Sequence, residues 1–234
     1  TMSRPLSHTL SGLLITGCVV LLWVFAPSVQ AAIPQKAEVF WVHGDTLPQT
    51  LVPKQPLGYN QYDAEMHREG LWIISYPNGL PRQWDTYADD RLNGPSLEWS
   101  ASGQLLAVRY YKDGLQDSAE LLLDHSGQWV QHAHYRTGQW HGTVTTFYGN
   151  GKSKEQRSYE HGVLSGISTW FYDNGNPMAQ YPYVAGKRHG RAQYFYDNGV
   201  LEKNEWFEDN LSVRWETFDL DGKQTGSGKT KKNP

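Results

Sequence analysis

Gly166-Ile-Ser-Thr-Trp-Phe-Tyr-Asp-Asn-Gly175 runs into Asn176-Pro-Met-Ala-Gln-Tyr-Pro-Tyr183 and Val184-Ala-Gly-Lys-Arg-His189, and Gly190 then starts the pattern again. Working outward, the opening glycine recurs at Gly70, Gly94, Gly142, Gly166 and Gly190, with Ser118 in the one remaining slot, at a spacing of 24 residues without insertion. A second glycine, nine places on, recurs at Gly79, Gly103, Gly127, Gly151, Gly175 and Gly199. An aromatic, seventeen places on, recurs at Tyr87, Tyr111, Tyr135, Tyr159, Tyr183 and Phe207. A third glycine stands at Gly114, Gly138, Gly162 and Gly186, with Asp90 and Asn210 in the end slots. A fixed period of about 20–50 residues marks stacked copies of one supersecondary unit.

Each unit reads as a β-hairpin. Ser168 to Tyr172 is β-branched and aromatic, which suits a strand. Asn174-Gly175 is a turn signal, because both residues tolerate the positive φ of tight hairpin turns. The same pair occurs at Asn78-Gly79, Asn150-Gly151 and Asn198-Gly199, and Ser-Gly replaces it at Ser102-Gly103 and Ser126-Gly127. A second strand ends at the recurring tyrosine, and the third glycine lies in the return to the next hairpin. The expected fold is all-β: an elongated single array of consecutive antiparallel hairpins, curved, with a cap at each end.

The Gly starts, the Phe147-Tyr148, Phe171-Tyr172 and Phe195-Tyr196 pairs, the turn glycine and the recurring tyrosine together resemble the MORN repeat. The likeness is to the variant found in many bacterial exported proteins and antitoxins. The resemblance covers Gly70 to about Gly222 and is specific for architecture. It implies little about function, since one scaffold hosts many roles.

Composition agrees with a thin array. Ten Trp and fourteen Tyr among 234 residues give broad aromatic cover with little depth. A net charge of −3 gives no global attraction to nucleic acid. Met2, Arg4, the apolar run Leu13 to Ala26 and the small-residue site Val29-Gln30-Ala31 read as a cleaved signal peptide over residues 1–31. That reading places the mature chain, starting at Ala32, in the periplasm. Cys18 is the single cysteine, and Ile15-Thr16-Gly17-Cys18 looks like a lipoprotein signal. Val19 to Phe25 continues the apolar run beyond it, which favours cleavage over a lipid anchor and leaves no stable membrane span.

Residues 32–69 read as an N-terminal cap and connection, with Val39-Phe40-Trp41-Val42 as a strand. Six repeats fill residues 70–212. A truncated seventh, without a return strand, fills 213–225, and the Gly/Ser/Lys-rich stretch 226–234 reads as disordered. Within the array, the fifth place after each opening glycine (Ser75, Trp99, Leu123, Phe147, Phe171, Phe195) is expected to form the core. The fourth place (Ile74, Glu98, Leu122, Thr146, Trp170, Tyr194) varies in chemistry and is expected to face a partner or solvent.

No catalytic set stands out. His132, His134 and His141, with His125 nearby, are compatible with metal binding, but no cysteine or clear carboxylate completes a ligand set. No Gly-x-Ser-x-Gly elbow, Walker loop or dinucleotide fingerprint occurs. Asp89-Asp90, and Asp113 with Asp117, fall in return turns and read as solvated. Neither metal nor cofactor is expected, and the chain reads as a non-enzyme. The candidates for partner contact are large residues that do not repeat: Trp84, Trp129, Trp140, Trp170, Tyr194 and Arg188. Trp, Tyr and Arg are the usual anchors of interfaces.

Export plus a MORN-like array resembles periplasmic immunity proteins. That resemblance implies a cognate toxin as partner, such as a lipase-type effector of a type VI system, neutralised sterically. Two alternatives are an envelope module binding glycans or choline-like groups by stacking, and a structural scaffold.

Overall fold

The computed structural model describes Cys18–Leu22, Glu38–Val42 and residues 59–230. Two units divide the chain, residues 1–50 and 51–234. In the first, Cys18–Leu22 pairs antiparallel with Glu38–Val42, with Val20 opposite Phe40. The rest of the proposed signal peptide lies outside the described residues. In the second unit, nineteen strands form one open antiparallel sheet. Among the described residues no pairing joins its first and last strands, and no helix occurs. Among the described residues, the first strand, Gln61–Tyr62, pairs with Arg68–Ser75 alone, and the last, Gln224–Lys229, with Leu211–Phe218 alone.

Hairpin follows hairpin at the expected spacing. The opening strands are Arg68–Ser75, Arg91–Trp99, Ser118–Leu123, Gly142–Phe147, Gly166–Phe171, Gly190–Phe195 and Leu211–Phe218. Their partners are Pro81–Ala88, Leu105–Lys112, Trp129–Arg136, Ser153–Glu160, Pro177–Val184, Leu201–Glu208 and Gln224–Lys229. Four opening strands are preceded, across a bulge, by a two-residue strand: Leu115–Gln116, Gln139–Trp140, Val163–Leu164 and Lys187–Arg188.

The two turn types are distributed differently from the sequence expectation. Type I′ geometry sits in the return, where consecutive residues have positive φ: Asp113 and Gly114 (50° and 82°), His161 and Gly162 (49° and 77°), Ala185 and Gly186 (47° and 80°). Asp90 and Asn210, the stand-ins for the third glycine, adopt the same region at 62° and 73°. At the Asn-Gly turns only the glycine has positive φ, as in a type I turn closed by a left-handed residue. The asparagine does different work there. Asn174 Oδ1 accepts the N–H of Asn176 at 2.8 Å, and its Nδ2 donates to the carbonyl of Asp197, in the next repeat, at 2.7 Å. Asn78 and Asn150 reach Ala101 and Asp173 in the same way.

The Phe-Tyr pair has a related explanation. The hydroxyls of Tyr148, Tyr172 and Tyr196 donate to the carbonyls of Phe171, Phe195 and Phe218, at 2.6, 2.8 and 2.9 Å. Each tyrosine therefore ties its turn to the next hairpin.

A seventh hairpin is complete, which corrects the expectation of a truncated repeat and an unstructured tail from residue 226. Gln224–Lys229 is a strand, with Trp215 opposite Gly228 and Thr217 opposite Gly226. A Cβ added to Gly228 would lie 2.8 Å from the Trp215 ring, and one added to Gly226 would lie 3.2 Å from it. The glycines that suggest flexibility make room for an aromatic ring lying over the strand.

Side chains alternate between the two faces of the sheet. The face bearing the recurring tyrosines buries Ala107, Ala133, Val144, Tyr159, Ala179, Ala192 and Phe207. The opposite face buries Trp84, Trp99, Val108, Tyr110, Ala119 and Leu121. The expected division into a core column and an open column does not hold. In the fifth place Trp99 is buried, Ser75 is exposed, and Leu123, Phe147, Phe171 and Phe195 are half-buried. The fourth-place residues, on the tyrosine face, are half-buried too, apart from the exposed Ile74. The described sheet is a single layer, so each side chain is covered by its neighbours on the same face rather than by a second sheet.

Candidate functional site

The tyrosine face brings the largest set of candidate residues together. Trp170 and Tyr194 occupy the same place in consecutive repeats and flank Tyr181, at ring-centroid distances of 5.2 and 5.5 Å. The Arg188 guanidinium lies over Phe207 at 4.4 Å and over Tyr181 at 5.7 Å. Trp140 sits on the same face, two repeats before Arg188 in the equivalent place, and packs on Tyr159 at 4.9 Å and Tyr135 at 6.4 Å. Tyr181, the shared neighbour of Trp170, Tyr194 and Arg188, is the residue that sequence reasoning missed.

The other two candidates lie on the opposite face. Trp84 is buried edge-on against Trp99 at 5.0 Å. Trp129 packs edge-on against Phe147 at 5.5 Å. They cannot share one planar contact with Trp140, Trp170, Tyr194 and Arg188.

The rings of the tyrosine face are already engaged by cations of the chain. Arg157 lies 5.9 Å from the Trp170 ring and Lys203 lies 5.2 Å from the Tyr194 ring. The Tyr194 hydroxyl donates to Glu205 at 2.8 Å, and Ser212 and Lys203 also donate to that carboxylate, at 2.7 and 3.0 Å. Burial first, and then hydrogen bonding with Tyr181 and Glu205, pushes the Tyr194 hydroxyl far above its ordinary range. For Glu205, burial works to raise the carboxyl, but the hydrogen bonds from Ser212, Lys203 and Tyr194 outweigh it and hold the group below its ordinary value.

A second set of polar residues on this face was not picked out by the sequence reading. Asp85, 5 % exposed, accepts from Ser96 Oγ at 2.7 Å and from Gln83 at 2.9 Å. Glu120, 6 % exposed, accepts from Arg109, Gln116, Gln131 and the Tyr135 hydroxyl, at 3.1 to 3.2 Å. Arg109 also reaches Glu98 at 3.1 Å. Burial works against the charged guanidinium, yet these two carboxylates hold Arg109 above its ordinary range. Burial, with the charge of Glu120, also raises the Tyr135 hydroxyl. The signal that could have found this set is the pairing offset. Ser96 stands eleven residues from Asp85 and opposite it, and Arg109 stands thirteen residues from Ser96 and opposite it.

The histidines form two ring pairs, His132 with His134 at 4.9 Å and His141 with His161 at 5.1 Å. Among the described residues, the one group able to bring three ligand atoms within 4.8 Å is Asp63, Glu65 and His67. There Asp63 Oδ1 already accepts the backbone N–H groups of Glu65 and His67, at 2.9 and 2.8 Å.

Fold and faces together define a β-hairpin repeat module. Three consecutive stretches, residues 140–161, 164–185 and 188–205, match the family model of the MORN repeat variant. These repeats indicate a binding or scaffold module. No curated protein matches the chain. Among solved structures, a mutant of Staphylococcus aureus TarM in complex with fondaparinux, alpha-GlcNAc-glycerol and UDP aligns at 11% identity and a TM-score of 0.30. The alignment covers 41% of this chain and 19% of that one, and the score is too low to define a shared fold.

Proposed function

We propose that the protein is a non-catalytic periplasmic immunity protein that binds a cognate secreted antibacterial toxin, such as a lipase-type effector of a type VI system. The observation that carries the reading is the grouping of Trp140, Trp170, Arg188 and Tyr194 on one face of the MORN-type hairpins. Aromatic and arginine side chains held by their neighbours lose little freedom on binding, so such a face suits tight steric blockade. The export-like sequence of residues 1–31 supports a site of action in the envelope. The stacking alternative is less favoured, because Arg157, Arg188 and Lys203 already sit at the rings that a choline-like cation would need.

The test is affinity purification from the native periplasm, followed by co-expression with the toxin encoded beside the gene. The expected result is a one-to-one complex and rescue of growth, both weakened by Trp170→Ala with Arg188→Ala. Recovery of no toxin, or rescue indifferent to those substitutions, overturns the reading.

A further inference from the structure

The two edges of the sheet are finished differently. At the first edge, Gln61 and Tyr62 pair with Glu69 and Arg68. The Asn60 N–H donates to the Leu71 carbonyl at 2.8 Å. Its side-chain amide then behaves as one more peptide group, accepting from the N–H of Ile73 at 2.7 Å and donating to the Ile73 carbonyl at 3.1 Å. That edge is covered as far as Ile73.

At the other edge, Gln224–Lys229 has a partner on one side only among the described residues. The Thr230 N–H donates inward to the Val213 carbonyl at 3.0 Å, which fixes the phase of the ladder. Gly228 and Gly226 share that inward phase, so Ser227 and Lys229 turn their N–H and C=O groups outward. A free edge of this kind is a template for an added strand. The Trp215 ring lies over Gly226 and Gly228, giving an incoming strand an apolar surface on the tyrosine face.

Charge selects the occupant. Gly222 to Pro234 contains Lys223, Lys229, Lys231 and Lys232 and no acidic residue. Pairing two copies along this edge would bring two lysine-bearing segments without acidic residues side by side. Like charges directly opposed destabilise a strand pair, and an acidic strand gains where a second copy loses. We propose that the Gln224–Lys229 edge docks an extended acidic segment of a partner protein as an additional strand. This surface is separate from the tyrosine-face cluster and does not depend on the immunity reading.

The test is titration of the full chain with a synthetic nine-residue peptide alternating threonine and glutamate, against the same peptide with lysine for glutamate. The glutamate peptide is expected to bind and the lysine peptide not to bind. Ser227→Pro deletes an outward N–H and leaves the inner ladder intact, because proline is tolerated on the free side of an edge strand. It is expected to weaken binding about tenfold while hydrogen exchange shows the Trp215 and Thr217 amides still protected. Lys229→Glu, which keeps the backbone unchanged, is expected to weaken the glutamate peptide and admit the lysine peptide. Absence of binding, equal binding of both peptides, wild-type affinity in Lys229→Glu, or self-association of the free chain through this strand each overturns the proposal.

Discussion

The hairpins before residue 140 and those after it reach the same backbone by different means. In the later half, Tyr148, Tyr172 and Tyr196 reach from each turn to a carbonyl of the following hairpin. In the earlier half only the first repeat does so, through Tyr76 and the Trp99 carbonyl at 2.9 Å, while Ser100 and Asp124 stand in that place in the next two and close their turns locally. Asp124 Oδ1 accepts from Ser126 N, Ser126 Oγ and Gln128 N, at 2.7, 2.6 and 3.0 Å, and these bonds hold the carboxyl below its ordinary value. Coupling between these hairpins passes also through the largely buried groups of Asp85, Ser96, Arg109 and Glu120. The family match covers residues 140–205, the stretch in which every repeat carries the tyrosine bridge. A repeat can therefore shed its recognisable side chains and keep its geometry, provided that another set of polar contacts joins neighbours.

Breaking the earlier half should cost most. Glu120→Ala removes the acceptor shared by Arg109, Gln116, Gln131 and Tyr135, and leaves half-buried donors behind. Loss of one partner of a fully buried ion pair typically costs about 3–5 kcal/mol. Arg109 is half-buried and keeps Glu98, so chemical unfolding should show a loss at or below the lower end of that range. In the later half, Tyr172→Phe removes one hydroxyl bond to the Phe195 carbonyl. A loss of about 1 kcal/mol is expected, with faster amide exchange at the turns on either side and no change in the earlier half.

Two smaller effects sharpen the contrast. Ser118 holds the opening place at φ 74°, where the other repeats have glycine. Ser118→Gly relieves a left-handed serine and should raise stability by up to about 1 kcal/mol, detectable as a higher unfolding midpoint. The smallest effect concerns Glu205, whose carboxyl is held below 4.5 in the folded chain. A lowered folded-state value contributes stability that is present above the unfolded value and is lost as pH falls through the folded one. The last hairpins should therefore weaken as pH drops below about 4.5, and Glu205→Gln should flatten that part of the stability profile.

The period, the hairpin unit and the turn columns were legible because each depends on a glycine or aromatic at a fixed place. Asp90 and Asn210 could be read as stand-ins for a glycine on that basis alone, and both adopt positive φ. The tyrosine-face polar set was not legible in the same way. Asp85 and Arg109 share one column with Ala133 and Tyr181, so the column has no chemical identity. Only the lateral register shows that Asp85 meets Ser96, and that Ser96 meets Arg109. The last strand was hidden for a different reason. Gly226-Ser227-Gly228 has the composition of a loose tail, and only the ring of Trp215 lying over it explains why it is ordered. Of the six candidate contact residues, four lie on one face, three of them around Tyr181. Trp84 and Trp129 fall on the other, because a large side chain announces its size in the sequence but not which way its strand points it.

The tyrosine bridges also bear on how the molecule responds to mechanical load. Pulled from its two ends, a sheet of this connectivity peels one strand at a time, like a zip, instead of shearing all its ladders at once. Where a hydroxyl spans from one turn to the next hairpin, each step of peeling must rupture that extra link as well, so the repeats of Tyr148, Tyr172 and Tyr196 should yield at higher force than those of Ser100 and Asp124, which have none.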